Sequence, residues 1–295
     1  MQRFRTRWIC EGLYTRTALI WVLAFTIACA YVLAQDSKDT TTSGPDAVTP
    51  HQHVYIVYLN PADRECLPRY QERLDRVLTE IQTWYRNEME RNGFGPMTFP
   101  LERDENSKLV IHVVKGTKAY KEGERVTSSE KFKQVKGPML KKGIDIDQEH
   151  IILISNTNFN SQKDGDIVTH GWSDYVGGGN HRQGTAWVCD FPWLDPINLP
   201  KKSPKVWDSG KFEYSLGRHV VTYIGGIAHE FGHSLGLPHN RETEEEREEH
   251  GVMLMGNGNY HFLKERTGDA DKGTYLSKPH ATVLSSHPLF KRTTD

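Results

Sequence analysis

The sequence predicts an α/β protein built on a mostly parallel sheet with helices packed against it. Two observations carry that expectation. From residue 53 onward, runs of β-branched and aromatic residues alternate with amphipathic stretches, the order that gives a parallel sheet covered by helices. The run EHIILISN at 149–156 is apolar through its middle, as in a strand buried on both faces.

HVYIVYLN (53–60), bounded by Pro61, reads as the first strand. Tyr70, Leu74, Val77, Leu78, Ile81, Trp84, Tyr85 and Met89 then recur at helical spacing as far as Asn92-Gly93, which predicts a long amphipathic helix. KLVIHVV (108–114) is a second strand, 124–142 a weaker helix and 149–156 the buried strand. A polar loop rich in Asn, Asp and Gly leads to a strand at GTAWVCD (184–190). A Pro-rich loop (192–204) precedes the helix GRHVVTYIGGIAHEFGHSLGL (217–237), and no internal repeat is present.

The first 34 residues differ in kind. Arg3, Arg5, Arg7 and Arg16 precede an uncharged run, 17–34, that ends in Val32-Leu33-Ala34 with small residues at cleavage offsets. This predicts a signal peptide and a secreted or extracytoplasmic domain. The alternative is an uncleaved anchor, since 17–34 is just long enough to span a bilayer. Residues 35–50 are polar and Pro/Gly-containing, a flexible leader. Without residues 1–34 the chain keeps 33 basic and 37 acidic residues, a net charge of about −4. No Lys/Arg stripe points to nucleic acid. Cys10 and Cys29 lie in the signal, which leaves Cys66 and Cys189; they fall at the same rim of a parallel sheet and are expected to form a disulfide.

AHEFGHSLGLPHN (228–240) carries the chemistry. At 100° per residue, with Val220 at zero, Val220, Ile224, Ile227, Phe231 and Leu235 fall within about 80° of one another, while His229 and His233 fall near about 180° and 220°. The helix therefore buries one face and turns both imidazoles into a cleft, four residues apart and able to share one metal ion. Gly236 can turn the chain through a left-handed conformation and Pro238 stops the helix, so His239 can return as a third ligand. Three neutral His ligands leave a fourth zinc position open for water, and Glu230, near about 280°, stands beside it as the general base.

The pattern His-Glu-x-x-His-x-x-Gly-x-x-His resembles the zinc signature of the metzincin metallopeptidases. Its five fixed positions coincide by chance in on the order of one chain in 10⁴, so it outweighs a bare His-Glu-x-x-His. The resemblance implies a twisted, mainly parallel sheet with an edge strand, long helices including the zinc helix, and a small C-terminal lobe opening with a methionine turn. It places the domain at 51–295, with an upper lobe at 51–239 and a lower lobe at 240–295. In GVMLMGNGNY (251–260) it assigns the turn methionine to Met255, with Met253 as the alternate. Two features depart from the clan pattern. Asn257 stands where some members carry a tyrosine ligand, the nearest tyrosine being Tyr260, and RETEEEREEH lengthens the span before the turn.

His170, Asp174 and His181 form a candidate second, structural metal site of a kind some metzincins have; exposed loop histidines are the alternative. The Asn/Asp-rich 156–166 lacks the glycine and final Glu of an EF-hand and reads as turns. RECLP (64–68) follows the first strand and reads as structural. Gly177, Gly178 and Gly179 keep a sheet edge uncluttered for a substrate strand, or form a flexible loop. ETEEEREE (242–249) is a solvated segment, or a cluster of carboxylates favouring Lys or Arg after the cut.

The sequence thus predicts an exported zinc-dependent endopeptidase, with one catalytic Zn²⁺ and a peptide or protein substrate. Nucleic acid is not expected, and a membrane only through an uncleaved anchor. Two rivals stand beside it: a non-catalytic, zinc-stabilised surface or binding module, for which Glu230 would have no use, and a zinc hydrolase of non-peptide amides.

Overall fold

The computed structural model describes residues 53–292 apart from 123, 125 and 171–174. The signal or anchor (1–34) and the leader (35–50) lie outside the described residues. In chain order, β1 (Tyr55–Asn60) leads into α1 (Tyr70–Arg91), β2 (Met97–Thr98), β3 (Ile111–Lys115), α2 (Ser128–Lys141) and β4 (His150–Ser155). Next come β5 (Phe159–Lys163), β6 (Asp166–His170), β7 (Val176–Gly179), β8 (Gly184–Cys189), β9 (Lys205–Asp208), β10 (Phe212–Ser215) and α3 (Leu216–Ser234). The chain ends through α4 (Glu244–His250), β11 (Val252–Met253), β12 (Thr274–Tyr275), α5 (Lys278–Ser285) and β13 (Lys291–Arg292). Among the described residues no helix is long and apolar enough to cross a membrane.

The main sheet has the order β3-β1-β4-β8-β7. Its first four strands are parallel, and β7 closes one edge antiparallel to β8. Period-two alternation divides β1 and β4 between two cores. Ile56, Tyr58, Ile152 and Ile154 pack with Leu74, Ile81 and Tyr85 of α1 and Ile227 and Phe231 of α3. Val57, Leu59, Ile151 and Leu153 pack on the other face with Val135 and Met139 of α2. That double covering is why 149–156 is apolar at every middle position. α1 is pinned at its start by Arg73, whose guanidinium donates to both oxygens of Asp190 at 2.8 and 2.9 Å, while the Tyr58 hydroxyl donates to the same carboxylate at 2.9 Å. Bidentate pairing and a third donor satisfy charges that burial would otherwise make costly.

Helix α2 begins at Ser128, later than its apolar pattern suggests, because Thr127 and Glu130 close a capping box. The expected polar loop after β4 holds structure that propensity did not show. β5 and β6 form a hairpin whose two-residue turn, Asp164-Gly165, has φ of 53° and 88°, the Asp-Gly turn that suits strand twist. With the β9–β10 hairpin they make a second sheet in the order β10-β9-β6-β5. β7 is Val-Gly-Gly-Gly, a sequence with little strand preference.

Close approach of α3 explains β7. A Cβ on Gly177 would lie 2.0 Å from the Glu230 carbonyl oxygen, and one on Gly184 of β8 would lie 1.9 Å from that of Ser234. Gly178, between them in register, faces open space. Glycine therefore lets the helix touch the hairpin backbone, and α3 is buried nearly all round instead of along one stripe.

Cys66 and Cys189 are free, which corrects the expected disulfide. Both lie at the same rim, but β4 separates β1 from β8, two strand spacings or about 10 Å. The Cys66 sulfur accepts from Asn60 Nδ2 at 2.9 Å, whereas the Cys189 sulfur lies 3.6 Å from Ser155 Oγ.

Early in α3, His219 is sealed among Phe191, Trp193 and Tyr223, its Nδ1 accepting from Trp193 Nε1 at 3.2 Å. Burial holds this imidazole at about 4, below its ordinary 6.5, so it is neutral in the fold.

Two outcomes are expected. Gly184→Ala should lower stability by about 3 kcal/mol, the upper range for overpacking, in urea unfolding, with Gly178→Ala inside about 0.5 kcal/mol of the parent. Because the unfolded chain takes up a proton at His219 near pH 6.5 and the fold not until near pH 4, the stability this group contributes is full above pH 6.5. It is lost as pH falls through that window, by up to about 3 kcal/mol. His219→Gln, which keeps an acceptor for Trp193, should lose less stability between pH 7 and pH 4.5 than the parent; an identical loss would exclude His219 as the source.

Candidate active site

His229, Glu230 and His233 occupy the C-terminal half of α3. Beyond Ser234 the helix closes with Gly236 N–H donating to His233 O at 2.9 Å and Leu237 N–H to Gly232 O at 3.0 Å, Gly236 taking φ of 85°. This left-handed termination satisfies the last carbonyls and turns the chain back, and His239 returns to the two helical histidines. The three Nε2 atoms form a triangle with sides of 3.1 Å (His229–His233), 3.0 Å (His233–His239) and 3.2 Å (His229–His239).

The opposite ring nitrogens fix the tautomers. His229 Nδ1 lies 2.6 Å from Leu254 O and His233 Nδ1 lies 2.8 Å from Leu237 O, so each Nδ1 donates its proton and each Nε2 presents a lone pair. Burial, together with the neighbouring imidazoles, holds His229 at about 4, and burial lowers His233 as well. Lone pairs converging on one point repel unless a cation lies between them. Nitrogens with these separations lie about 1.8 Å from their common centre, inside the ~2.0–2.1 Å bond of imidazole to zinc, so the donor set fits such an ion. Among the described residues these three are the group of histidine, cysteine and carboxylate side chains able to hold a metal.

Glu230 shares a face with His233, three residues on. Burial pushes its carboxyl up to about 7, against the opposing effect of a hydrogen bond from the Gly177 backbone N–H. A cation at the triangle would draw it back toward the ordinary carboxylate range. The β7 edge thus holds Glu230 as well as packing on its backbone, a link between Gly177 and Glu230 that no sequence pattern announces.

The floor is a turn between Val252 and Asn257. Met255 is fully buried, and its sulfur would lie 2.4 Å from a Cβ on Gly232, between the two helical histidines. Met255 O accepts from Asn240 N–H at 3.2 Å, and Gly256 N–H closes the turn onto Met253 O at 3.0 Å. Met253 instead pairs with Tyr275 across β11 and β12. The structure therefore places Met255 beneath the histidines and Met253 to one side.

Other residues raised by the sequence lie elsewhere. His170 sits on β6 with Nε2 2.7 Å from Ser161 Oγ and Nδ1 3.4 Å from Glu122; His181 is in the exposed turn after β7, and Asp174 lies outside the described residues. Tyr260 is 42 % exposed and follows Asn259, which packs on Gly225 a turn before His229. In the acidic segment, Glu244, Glu245, Glu248 and Glu249 are exposed. Glu242 turns inward, accepting from Met253 N–H at 3.2 Å and lying 3.5 Å from Arg247.

No protein-family model matches the chain, and no curated protein matches it in sequence. Solved structures match it in fold. The crystal structure of wild-type OgpA from Akkermansia muciniphila aligns with a TM-score of 0.63 at 24 % identity, over 85 % of this chain and 65 % of that one. Catalytically inactive OgpA from the same organism, in complex with an O-glycopeptide substrate, glycodrosocin, gives the same values. A further crystal form of wild-type OgpA gives 0.62 at 23 % identity, over 87 % of this chain and 67 % of that one. The chain shares their mixed α/β fold and spans about two thirds of their length.

Proposed function

We propose that this chain is an exported zinc-dependent endopeptidase, with His229, His233 and His239 as metal ligands and Glu230 as general base. One observation carries the reading: three imidazole nitrogens about 3 Å apart, with the far nitrogens of His229 and His233 tied to carbonyls, converge beside a carboxylate held by a backbone N–H. A purely structural zinc is closed by four protein ligands, whereas three ligands and an adjacent base suit hydrolysis. Zinc, when bound, supplies a Lewis acid that polarises a carbonyl and acidifies water.

The chain's own residues do the rest. Glu230 takes a proton from the attacking water and delivers it to the leaving nitrogen, and the Gly177 N–H keeps the carboxylate turned to that task. Asn180 N–H donates to Gln183 O at 2.9 Å across the hairpin. By the alternation of antiparallel pairs, Gly177 and Gly179 then direct their main-chain groups away from β8. With Gly177 N–H on Glu230, the Gly177 carbonyl and the Gly179 N–H remain to pair with an extended substrate. The O-glycopeptide bound by the OgpA neighbour makes glycosylated peptides the first substrates to try. Residues 51–239 would supply the roof of the cleft and 240–295 its floor, with export encoded in residues 1–34.

Two measurements test the reading. The purified protein should hold about one zinc per chain, and His233→Ala should lose it by metal analysis while keeping its far-ultraviolet circular dichroism; stoichiometric zinc of unchanged affinity in the variant would remove the ligand assignment. Glu230→Ala should keep both zinc and fold but cleave a peptide library about 10²–10⁴-fold more slowly. Near-normal turnover would defeat the mechanism, and no cleavage by the parent would favour a binding module.

A further inference from the structure

Beyond the third histidine the chain borders a cavity of about 400 Å³, with His239, Arg241, Glu242, Arg247 and Met255 in its walls. His239 belongs both to this wall and to the histidine triangle, so a group seated here lies next to the place where a bound peptide would be cut. The volume is at the small end of ligand sites and suits one side chain.

The main chain that carries Arg241 is fixed to the floor. Asn240 donates through its backbone N–H to Met255 O at 3.2 Å and through Nδ2 to Ser277 Oγ at 3.0 Å. A Cβ on Gly256 would lie 2.9 Å from Asn240 O, so the turn beneath the histidines packs flat against this stretch. Arg241 therefore starts from a set position two residues past His239, while the residue itself is exposed.

Of the charged groups in the wall, two are matched and one is not. Glu242 is engaged at both oxygens: one accepts from Met253 N–H at 3.2 Å, and the other lies 3.5 Å from Arg247. Among the described residues the Arg241 guanidinium meets no carboxylate and no carbonyl. The cavity thus has one uncompensated positive charge, on a planar fork whose geometry matches a carboxylate. Glu246, the next acidic side chain turned toward Arg241's other flank, accepts from Thr243 N–H at 2.8 Å. The remaining glutamates of α4 do not line the cavity, and salt screens them beyond about 8–10 Å.

We propose that Arg241 seats a carboxylate side chain of the substrate peptide, Asp or Glu, in this cavity, so that acidic peptides are favoured over the basic ones suggested by the glutamate-rich sequence. The effect on turnover rests on the peptidase reading; the binding of an acidic peptide does not. The test uses the full chain and a set of C-terminally amidated peptides in which each position in turn is Glu, Gln or Lys, the amide removing the chain end as a rival source of carboxylate. At the best position kcat/KM for Glu over Gln should be about 2–5-fold, the range of a solvent-accessible ion pair, and should shrink as salt rises. The ratio should fall toward one in Arg241→Gln, persist in Arg241→Lys and turn in favour of the Lys peptide in Arg241→Glu. A merely structural role would slow all peptides alike and leave the ratio where it was. A ratio of one in the parent at every position, or the same ratio in Arg241→Gln as in the parent, overturns the proposal.

Binding separates this outcome from failure of the peptidase reading. Fluorescence anisotropy of rhodamine-labelled Glu and Gln peptides, read on the Glu230→Ala protein with and without Arg241→Gln, needs no turnover. If the parent cleaves nothing but the Glu peptide binds about 2–5-fold tighter and loses that advantage with Arg241, the cavity assignment stands and the peptidase falls. Cleavage of Glu and Gln peptides at one rate, with equal binding, leaves the peptidase and removes the acidic subsite.

Discussion

Helix α3 touches the backbone of the β7–β8 hairpin at a distance only glycine permits, and the site depends on that contact. At Gly177 and Gly184 any side chain would run into main-chain carbonyls of Glu230 and Ser234. Those carbonyls bracket the last turn of the helix, the turn that carries Glu230 and His233. Displacing the helix by the width of a methyl group would carry two imidazoles and the carboxylate with it. It would also break the bond from the Gly177 N–H to Glu230. Packing and site geometry are thus one constraint here, since the strand that fixes the helix also orients its carboxylate.

From the other side the helix rests on Met255, and its two histidines are held through main-chain atoms. Leu254 O and Leu237 O receive the Nδ1 protons of His229 and His233. Carbonyl acceptors set tautomer and ring direction as a carboxylate would, without adding negative charge to a crowded site. Neutral imidazoles and a net positive charge when a metal is present follow from that choice. The buried charge pair of Arg73 with Asp190 lies at the start of α1 near the close of β8, where it ties helix to sheet away from the histidines.

Much of this is legible in the sequence. The four-residue histidine spacing, the Gly236 exit and the Pro238 stop needed only helical geometry, and the strands at 53–60, 149–156 and 184–190 were marked by composition. The rest is set by partners remote in sequence. Val176–Gly179 is a strand because α3 lies on it, whereas its residues alone suggest a loop. The hairpin at Asp164-Gly165 did carry a local signal, the dipeptide itself, which the surrounding Asn and Ser obscured. The strand pattern puts Cys66 and Cys189 at one rim, yet the identity of the strand between them is a matter of sheet order, which periodicity does not encode.

The acidic segment shows how one composition can support two explanations until geometry separates them. Six glutamates after the third histidine suggest a negative cleft that would attract basic substrates. In the fold, Thr243 and Glu246 close a capping box, and the first turn of α4 holds Glu244, Glu245 and Glu246, where carboxylates complement the helix dipole and stabilise a short helix. Glu248 and Glu249 face solvent, where salt screens them beyond about 8–10 Å. Glu242 alone turns inward, and it is met by Met253 N–H and Arg247. The cavity that His239 itself lines is bordered by Arg241, Arg247 and this satisfied glutamate, so among the described residues no other carboxylate of the segment borders it. The glutamates are explained by the need to start and solubilise a seven-residue helix that carries the chain from the third histidine to the turn beneath it.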